Sequence, residues 1–281
     1  MSTTAVTRRL FSGLLDDAAM FPPGNAPPAQ AVRDHLRHRS SWYADLVGPL
    51  LVHGERWQEF QSAHEAEGSP ELRVVVVSTA RRPDQIGAGL TLLGYEAPAG
   101  DLPTIVPPDG LPLAAEIVDP DRLICVVDDV AALRARGVAV IAKYRTGGES
   151  ADAYPSEATV VRVLSAAVAR GVPLKYTAGL HAAVRHTNDT TGFEHHGFLN
   201  LMAATRRARA GESQPSLVSA LASRDAGALV TLVSGWSAAD VAAVRGSFVS
   251  FGCCGVEDPI AELVTLGLVD TTPALVVEKI R

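Results

Sequence analysis

Short apolar runs alternate along the chain with longer Ala-rich stretches. Segments 46–53, 72–78, 92–96, 113–118, 138–144, 173–177 and 247–252 predict strands, and 14–21 supplies a first one before them. In Arg73-Val74-Val75-Val76-Val77-Ser78 the apolar residues follow without alternation. That is the pattern of a strand covered on both faces. Between the strands, 56–67, 83–90, 128–136 and 156–170 predict helices. In the last of these, Val160, Val161, Leu164 and Val168 recur at helical spacing. Strands alternating with helices imply a parallel sheet. Eight βα units closing on themselves make a (β/α)8, TIM-type barrel, and this α/β architecture is the expected fold. An open doubly wound sheet is the alternative. No Gly-rich dinucleotide fingerprint opens a helix early in the chain to support it.

The spacing breaks once. Roughly 70 residues separate the strand ending at 177 from the one starting at 247, too many for one crossover helix. Within them, 192–233 reads as two or more extra helices. Residues 1–281 are therefore expected to form a single barrel domain with a helical insertion at about 186–240. The insertion is expected at the C-terminal face of the barrel, over the site. Pro-rich pieces at 22–29 and 103–112 read as rigid connectors.

Composition narrows the function classes. With 281 residues, 47% of them apolar, the chain can build a core without staples. The net charge is −6, and no Lys/Arg run exceeds pairs such as Arg206-Arg207. A nucleic-acid partner is therefore not expected. Cys125, Cys253 and Cys254 form no CxxC pair, so neither a disulfide framework nor a zinc knuckle is indicated. No apolar run approaches the ~18 residues of a membrane span. The N-terminus turns acidic too early for a signal peptide. The expectation is a cytoplasmic enzyme or small-molecule binder with no membrane partner.

In a parallel barrel, functional side chains come from the C-terminal ends of strands and the loops after them. Lys143 closes Val-Ala-Val-Ile-Ala-Lys, and Lys175 closes Gly-Val-Pro-Leu-Lys. A buried lysine tends to lose its proton, and a neutral amine can attack a carbonyl to form a Schiff base. Snorkelling to the rim, or pairing with Glu116, is the plainer role for each. Arg145 could grip a carboxylate bidentately or pair with Asp16 or Glu116. Thr146, Gly147 and Gly148 read as a backbone turn approaching the ligand. Cys253 and Cys254 follow a strand with no base visible nearby, which favours packing.

The segments Lys-Tyr-Arg-Thr-Gly-Gly at 143–148 and Lys-Tyr-Thr-Ala-Gly-Leu-His at 175–181 resemble the paired lysine motifs of class I deoxyribose-phosphate aldolases, K-T-S-T-G and K-x-x-G-G-[IV]-R. The opening Leu-Leu-Asp-Asp-Ala-Ala-Met-Phe-Pro-Pro-Gly at 14–24 looks like that family's first strand, D-x-T-x-L-x-P. The closing Phe-Gly-Cys-Cys-Gly at 251–255 sits where the family has a Gly-Ala-Ser-Ser turn. The chain is also similar to a set of bacterial proteins with K-x-R-T-G-G, T-A-G-L-H-H and H-G-F-L-N segments. The aldolase resemblance implies that Lys143 forms the Schiff base and Lys175 lowers its pKa. It further implies a proton-shuttling acid on an earlier strand, here Glu116, with Glu96 and Asp16 behind it. Asp16, Arg145, Thr146, Gly147, His196 and Cys253 are the expected substrate-binding set, with His181 a further acid/base. The family's Gly-Ile-Arg becomes Gly179-Leu180-His181, and Glu257 and Asp258 open the final helix. Acidic groups there oppose phosphate binding. The expected activity is therefore a carbon–carbon lyase acting on a small, non-phosphorylated carbonyl compound, with no cofactor. Barrels of this type often dimerise, so a homodimer is compatible with this reading.

Two other readings stay open. His181, His186, His195 and His196 fall within sixteen residues, so His181 and His196 could hold a divalent metal in a barrel lyase or isomerase, although no regular zinc spacing is present. A non-catalytic barrel that binds a small ligand is the other.

Overall fold

The computed structural model describes residues 3–271 apart from 78–82, 84, 101, 103–105 and 108–109, with side chains from Thr7 onward. Eight strands form a closed, wholly parallel barrel. They are β1 (Leu15–Asp17), β2 (Val47–His53), β3 (Leu72–Val77), β4 (Leu90–Pro98), β5 (Leu113–Ile117), β6 (Val140–Arg145), β7 (Leu174–Thr177) and β10 (Phe248–Cys253). β10 returns to pair with both β7 and β1, which closes the cylinder. This is the TIM-type α/β barrel that the periodicity predicts. The remaining strands, β8 (His186–Thr187) and β9 (Glu194–His195), form a small antiparallel hairpin.

Helices α1 (Thr3–Phe11), α2 (Pro28–Arg39), α3 (Trp57–Ala66), α4 (Leu123–Ala135) and α5 (Glu157–Ala169) accompany the first seven barrel strands. In α5 the buried stripe Val160, Val161, Val163, Leu164 and Ala167 faces the barrel wall, and the Ser156 side chain caps the helix by accepting from the Thr159 N–H. After β7 come α6 (Phe198–Arg209), α7 (Gln214–Ala222), α8 (Ala226–Ser234) and α9 (Ala238–Ser247), and α10 (Glu257–Thr265) follows β10. No single helix among the described residues is long and apolar enough to cross a membrane; α7 and α8 are apolar together but bend by 118° at their junction.

Three elements differ from expectation. The first strand is three residues long rather than the whole of 14–21. The chain turns back at once, with the Phe21 N–H donating to the Ala18 carbonyl. No helix forms over 83, 85–90. Gly89 takes a positive φ of 76°, and Leu90 already belongs to β4. Gly has both the conformational freedom for that bend and a low helix propensity. The helix expected at 128–136 begins five residues earlier, at Leu123.

The 186–240 stretch is not chiefly a cover over the strand ends. In α6, residues 198 to 205 are all buried. The Phe198 ring stacks on Phe251 of β10 at 5.4 Å, and α6 packs against α5 and α9. It thus lies along the barrel wall. Asn200 ties this region together: its amide donates to the Ala220 and Ser223 carbonyls while its oxygen accepts from the Arg185 N–H. The β8–β9 hairpin does reach the loops beyond the strands. Phe193 and His195 contact Tyr154, which follows β6, at 5.6 and 4.5 Å between ring centres.

Candidate active site

Parallel register places the polar groups. Lys143 on β6 pairs with Lys175 on β7 and with Glu116 on β5, while Ser250 on β10 pairs with Lys175. Asp16 is the middle residue of β1, and Glu96 lies in β4. These six side chains are buried. The lysines sit within their strands rather than at the last residue: Lys143 is followed by Tyr144 and Arg145, Lys175 by Tyr176 and Thr177.

The side chains form one continuous chain of charge. Lys175 Nζ donates to Asp16 Oδ2 and to Glu96 Oε1. Ser250 Oγ also donates to Asp16 Oδ2, at 2.7 Å. Lys143 Nζ lies 2.7 Å from Glu96 Oε2 and 2.7 Å from Glu116 Oε2. Glu116 Oε1 in turn accepts from the Arg145 guanidinium at 3.1 and 3.2 Å. Three carboxylates thus face three cations. A buried ion costs several kcal/mol to desolvate and is tolerated when it is paired and hydrogen-bonded. One contact is incomplete. Glu96 Oε2 is at ion-pair distance from Lys143, with no hydrogen bond of good geometry directed at it among the described residues.

Burial and pairing pull the pKa values apart. Burial works against the Lys175 charge, but Asp16 and Glu96 outweigh it and hold its pKa above the ordinary lysine value. The expectation that burial lowers this lysine's pKa is therefore corrected. Burial pushes Glu96 up, and the two lysines more than reverse this, to about 2. Glu116 moves the same way, with burial overcome by Lys143 and Arg145. Asp16 goes in the opposite direction: burial raises it, and Lys175 and Ser250 only partly compensate.

The other expected site residues divide into two groups. Arg145 is half-exposed at the rim and contacts Glu116, as one of its expected roles has it. Thr146 is fully buried, and its hydroxyl donates to the Ala178 carbonyl at 2.8 Å. A Cβ on Gly147 would lie 2.9 Å from both Gly179 Cα and Tyr154 Cε1. Thr146 and Gly147 clasp the turns after β6 and β7 together by close backbone packing. His196 is also committed to structure. Its Nε2–H donates to the Pro155 carbonyl at 2.7 Å, Arg185 lies 3.5 Å from Nδ1, and burial lowers its pKa.

His181 belongs elsewhere. Its Nδ1 lies 3.0 Å from Asp258 Oδ2 and 3.7 Å from Cys253 Sγ, and its Nε2 lies 3.4 Å from Cys254 Sγ. Hydrogen bonds with the Cys253 and Cys254 sulfurs hold its pKa well above the ordinary histidine value, against the effect of burial. The structure therefore does not bring His181 and His196 together on shared partners. Among the described residues no three His, Cys, Asp or Glu side chains converge as a metal-holding group. Cys253 is buried, donates to the Gly255 carbonyl at 3.3 Å, and has its thiol pKa pushed up by burial.

The sequence places Glu96 behind Glu116, offers no motif for Ser250, and does not bring His181 beside Cys254. A polar residue inside Phe-Val-Ser-Phe-Gly was the available signal for Ser250. The chain matches no protein-family model, no curated protein and no solved structure.

Proposed function

We propose that this protein is a Schiff-base carbon–carbon lyase of the aldolase type, acting on a small, non-phosphorylated carbonyl compound. The observation that carries the reading is the pair of register-matched lysines sharing Glu96 inside a parallel barrel. Their loops lie at the barrel face where enzymes of this architecture do their chemistry.

Lys143 is the nucleophile. Lys175 is fixed by hydrogen bonds to two carboxylates and keeps its proton. Lys143 lies 2.7 Å from Glu116, the group that takes its proton. Glu116 stays ionised chiefly because Lys143 and Arg145 offset its burial. Once the proton moves, the Lys143 charge disappears and burial favours the neutral carboxyl group. The free amine then adds to the carbonyl carbon, and Glu116 returns the proton to the oxygen. Loss of water gives the iminium, whose α-carbon can give up a proton to form an enamine. Glu96, near pKa 2, remains an anion that steadies both lysines. Arg145 at the rim suits an anionic or hydroxyl group on the substrate. Glu257 and Asp258 in the first turn of α10 disfavour phosphate there.

The test is α-proton exchange in deuterium oxide, followed by NMR over a panel of small aldehydes and ketones. Enamine formation predicts exchange that Lys143→Arg abolishes. A charge network that serves only to hold the barrel together predicts no exchange with any compound, and that result would overturn the proposal.

A further inference from the structure

Cys254 is the first residue after β10 and stands three residues before α10. Its Sγ lies 3.4 Å from His181 Nε2, and the opposite ring nitrogen, Nδ1, lies 3.0 Å from Asp258 Oδ2. Thiol, imidazole and carboxylate thus stand in line, with each ring nitrogen engaged. That order suits a thiol whose proton passes to an oriented histidine. It is hidden in the sequence because His181 comes from the turn after β7, 73 residues before Cys254.

The surrounding backbone holds this arrangement. Ala178 takes a positive φ of 62°, unusual for a residue with a side chain, and Gly179 follows at 74°. The Thr146 hydroxyl pins the Ala178 carbonyl, which fixes the turn that delivers His181. A Cβ on Gly255 would lie 2.9 Å from Asp258 Oδ2, so glycine there lets the carboxylate approach the ring. Cys254 is half-buried and the His181 side chain is 32% exposed, so a small molecule can reach both. Cys253 directs its thiol at the Gly255 carbonyl, and its Sγ lies 3.7 Å from the other ring nitrogen, Nδ1, rather than from Nε2.

We infer that Cys254, His181 and Asp258 form a second nucleophilic site, which adds reversibly to small aldehydes as a thiohemiacetal. The proton of the Cys254–His181 pair rests on His181 Nε2, as the raised pKa of the ring favours, while Nδ1–H donates to Asp258. Sulfur bonds to the aldehyde carbon, the C=O π pair moves to oxygen, and His181 returns the proton there. The net change is addition of S–H across C=O, and no oxidant or further reactant enters. The site stands independently of the lysine chemistry.

Iodoacetamide labelling at neutral pH, read residue by residue with peptide mass spectrometry, tests it. Exposed Cys125 serves as the reference in the same molecule. Cys254 is expected to react on the order of tenfold faster than Cys125, the kind of gain a positioned base gives a thiol. His181→Asn removes that advantage and Asp258→Asn reduces it, while the Cys125 rate stays unchanged and reports an intact fold. Millimolar propanal slows Cys254 alone, including in Lys143→Arg, which separates this site from the Schiff-base reading. Equal rates for the two cysteines, a rate for Cys254 indifferent to His181, or fast labelling that propanal does not slow would each overturn the inference.

Discussion

Lys143 and Lys175 are direct register partners on adjacent parallel strands, and the two oxygens of one carboxylate, Glu96, reach one ammonium each. Neighbouring strands lie about 4.8 Å apart, so two cations at matched positions would repel strongly without an anion between them. The shared carboxylate makes the pair tolerable. It does not make the lysines equal. Lys175 is gripped by Asp16 as well, whereas Lys143 adjoins Glu116, whose other oxygen is held by a rim arginine.

Glu96→Gln leaves both lysines short of their common counter-ion. Breaking a buried pair on one side costs about 3–5 kcal/mol. The urea midpoint at neutral pH should fall accordingly. The sign of the pH dependence follows from the shifts. Glu96 is lowered from 4.5 to about 2, so its contribution is complete above pH 4.5 and is lost as pH falls toward about 2. Glu116, also lowered, acts in the same sense. Asp16, raised above 3.8, works the other way: its contribution is present below that value and is lost as pH rises through its folded pKa. Lys175 is raised above 10.5, so its stabilisation is complete below that pH and lost only in stronger base. The wild-type protein should therefore lose stability in acid between pH 4.5 and about 2, with a shallower acid limb in Glu96→Gln.

Tyr176 on β7 is fully buried, its ring packs edge-on to Phe248 at 4.9 Å, and its hydroxyl has no hydrogen-bond partner among the described residues. Removing an unsatisfied buried hydroxyl while keeping the ring should help. Tyr176→Phe is expected to raise stability by about 1 kcal/mol, read as a higher denaturant midpoint with an unchanged slope. A lower midpoint would contradict the packing described.

Asn200 closes three backbone groups with one side chain. Asn200→Ala leaves the Ala220 and Ser223 carbonyls and the Arg185 N–H without these partners, a loss of about 2 kcal/mol. Hydrogen exchange should quicken at the Arg185 amide and in α7, with β5 and β6 unaffected. Uniform acceleration across the barrel would mean that Asn200 does not act locally.

The closed parallel barrel was legible because strands buried on both faces leave continuous apolar runs, as in β3. The lysine pair was legible for a related reason: a charged residue inside such a run has to face something specific. Other features needed three-dimensional register. Glu96 sits in a strand that looks shorter in sequence than it is, and its central place appears only when β4, β6 and β7 are wrapped around one axis. The 186–240 stretch looked like a cover because its length exceeds a crossover; burial along α6 shows that much of it belongs to the barrel wall. The base beside Cys254 comes from a distant turn, which no local motif can reveal.

The proposed chemistry requires that Lys143, and not Lys175, attacks a carbonyl. Borohydride reduction in the presence of small aldehydes and ketones, followed by peptide mass spectrometry, measures this directly. A reduced adduct is expected on Lys143 with at least one compound, none on Lys175, and none at all in Lys143→Arg. Labelling of Lys175 in its place, or a Lys143 that stays unmodified across the whole panel, would contradict it.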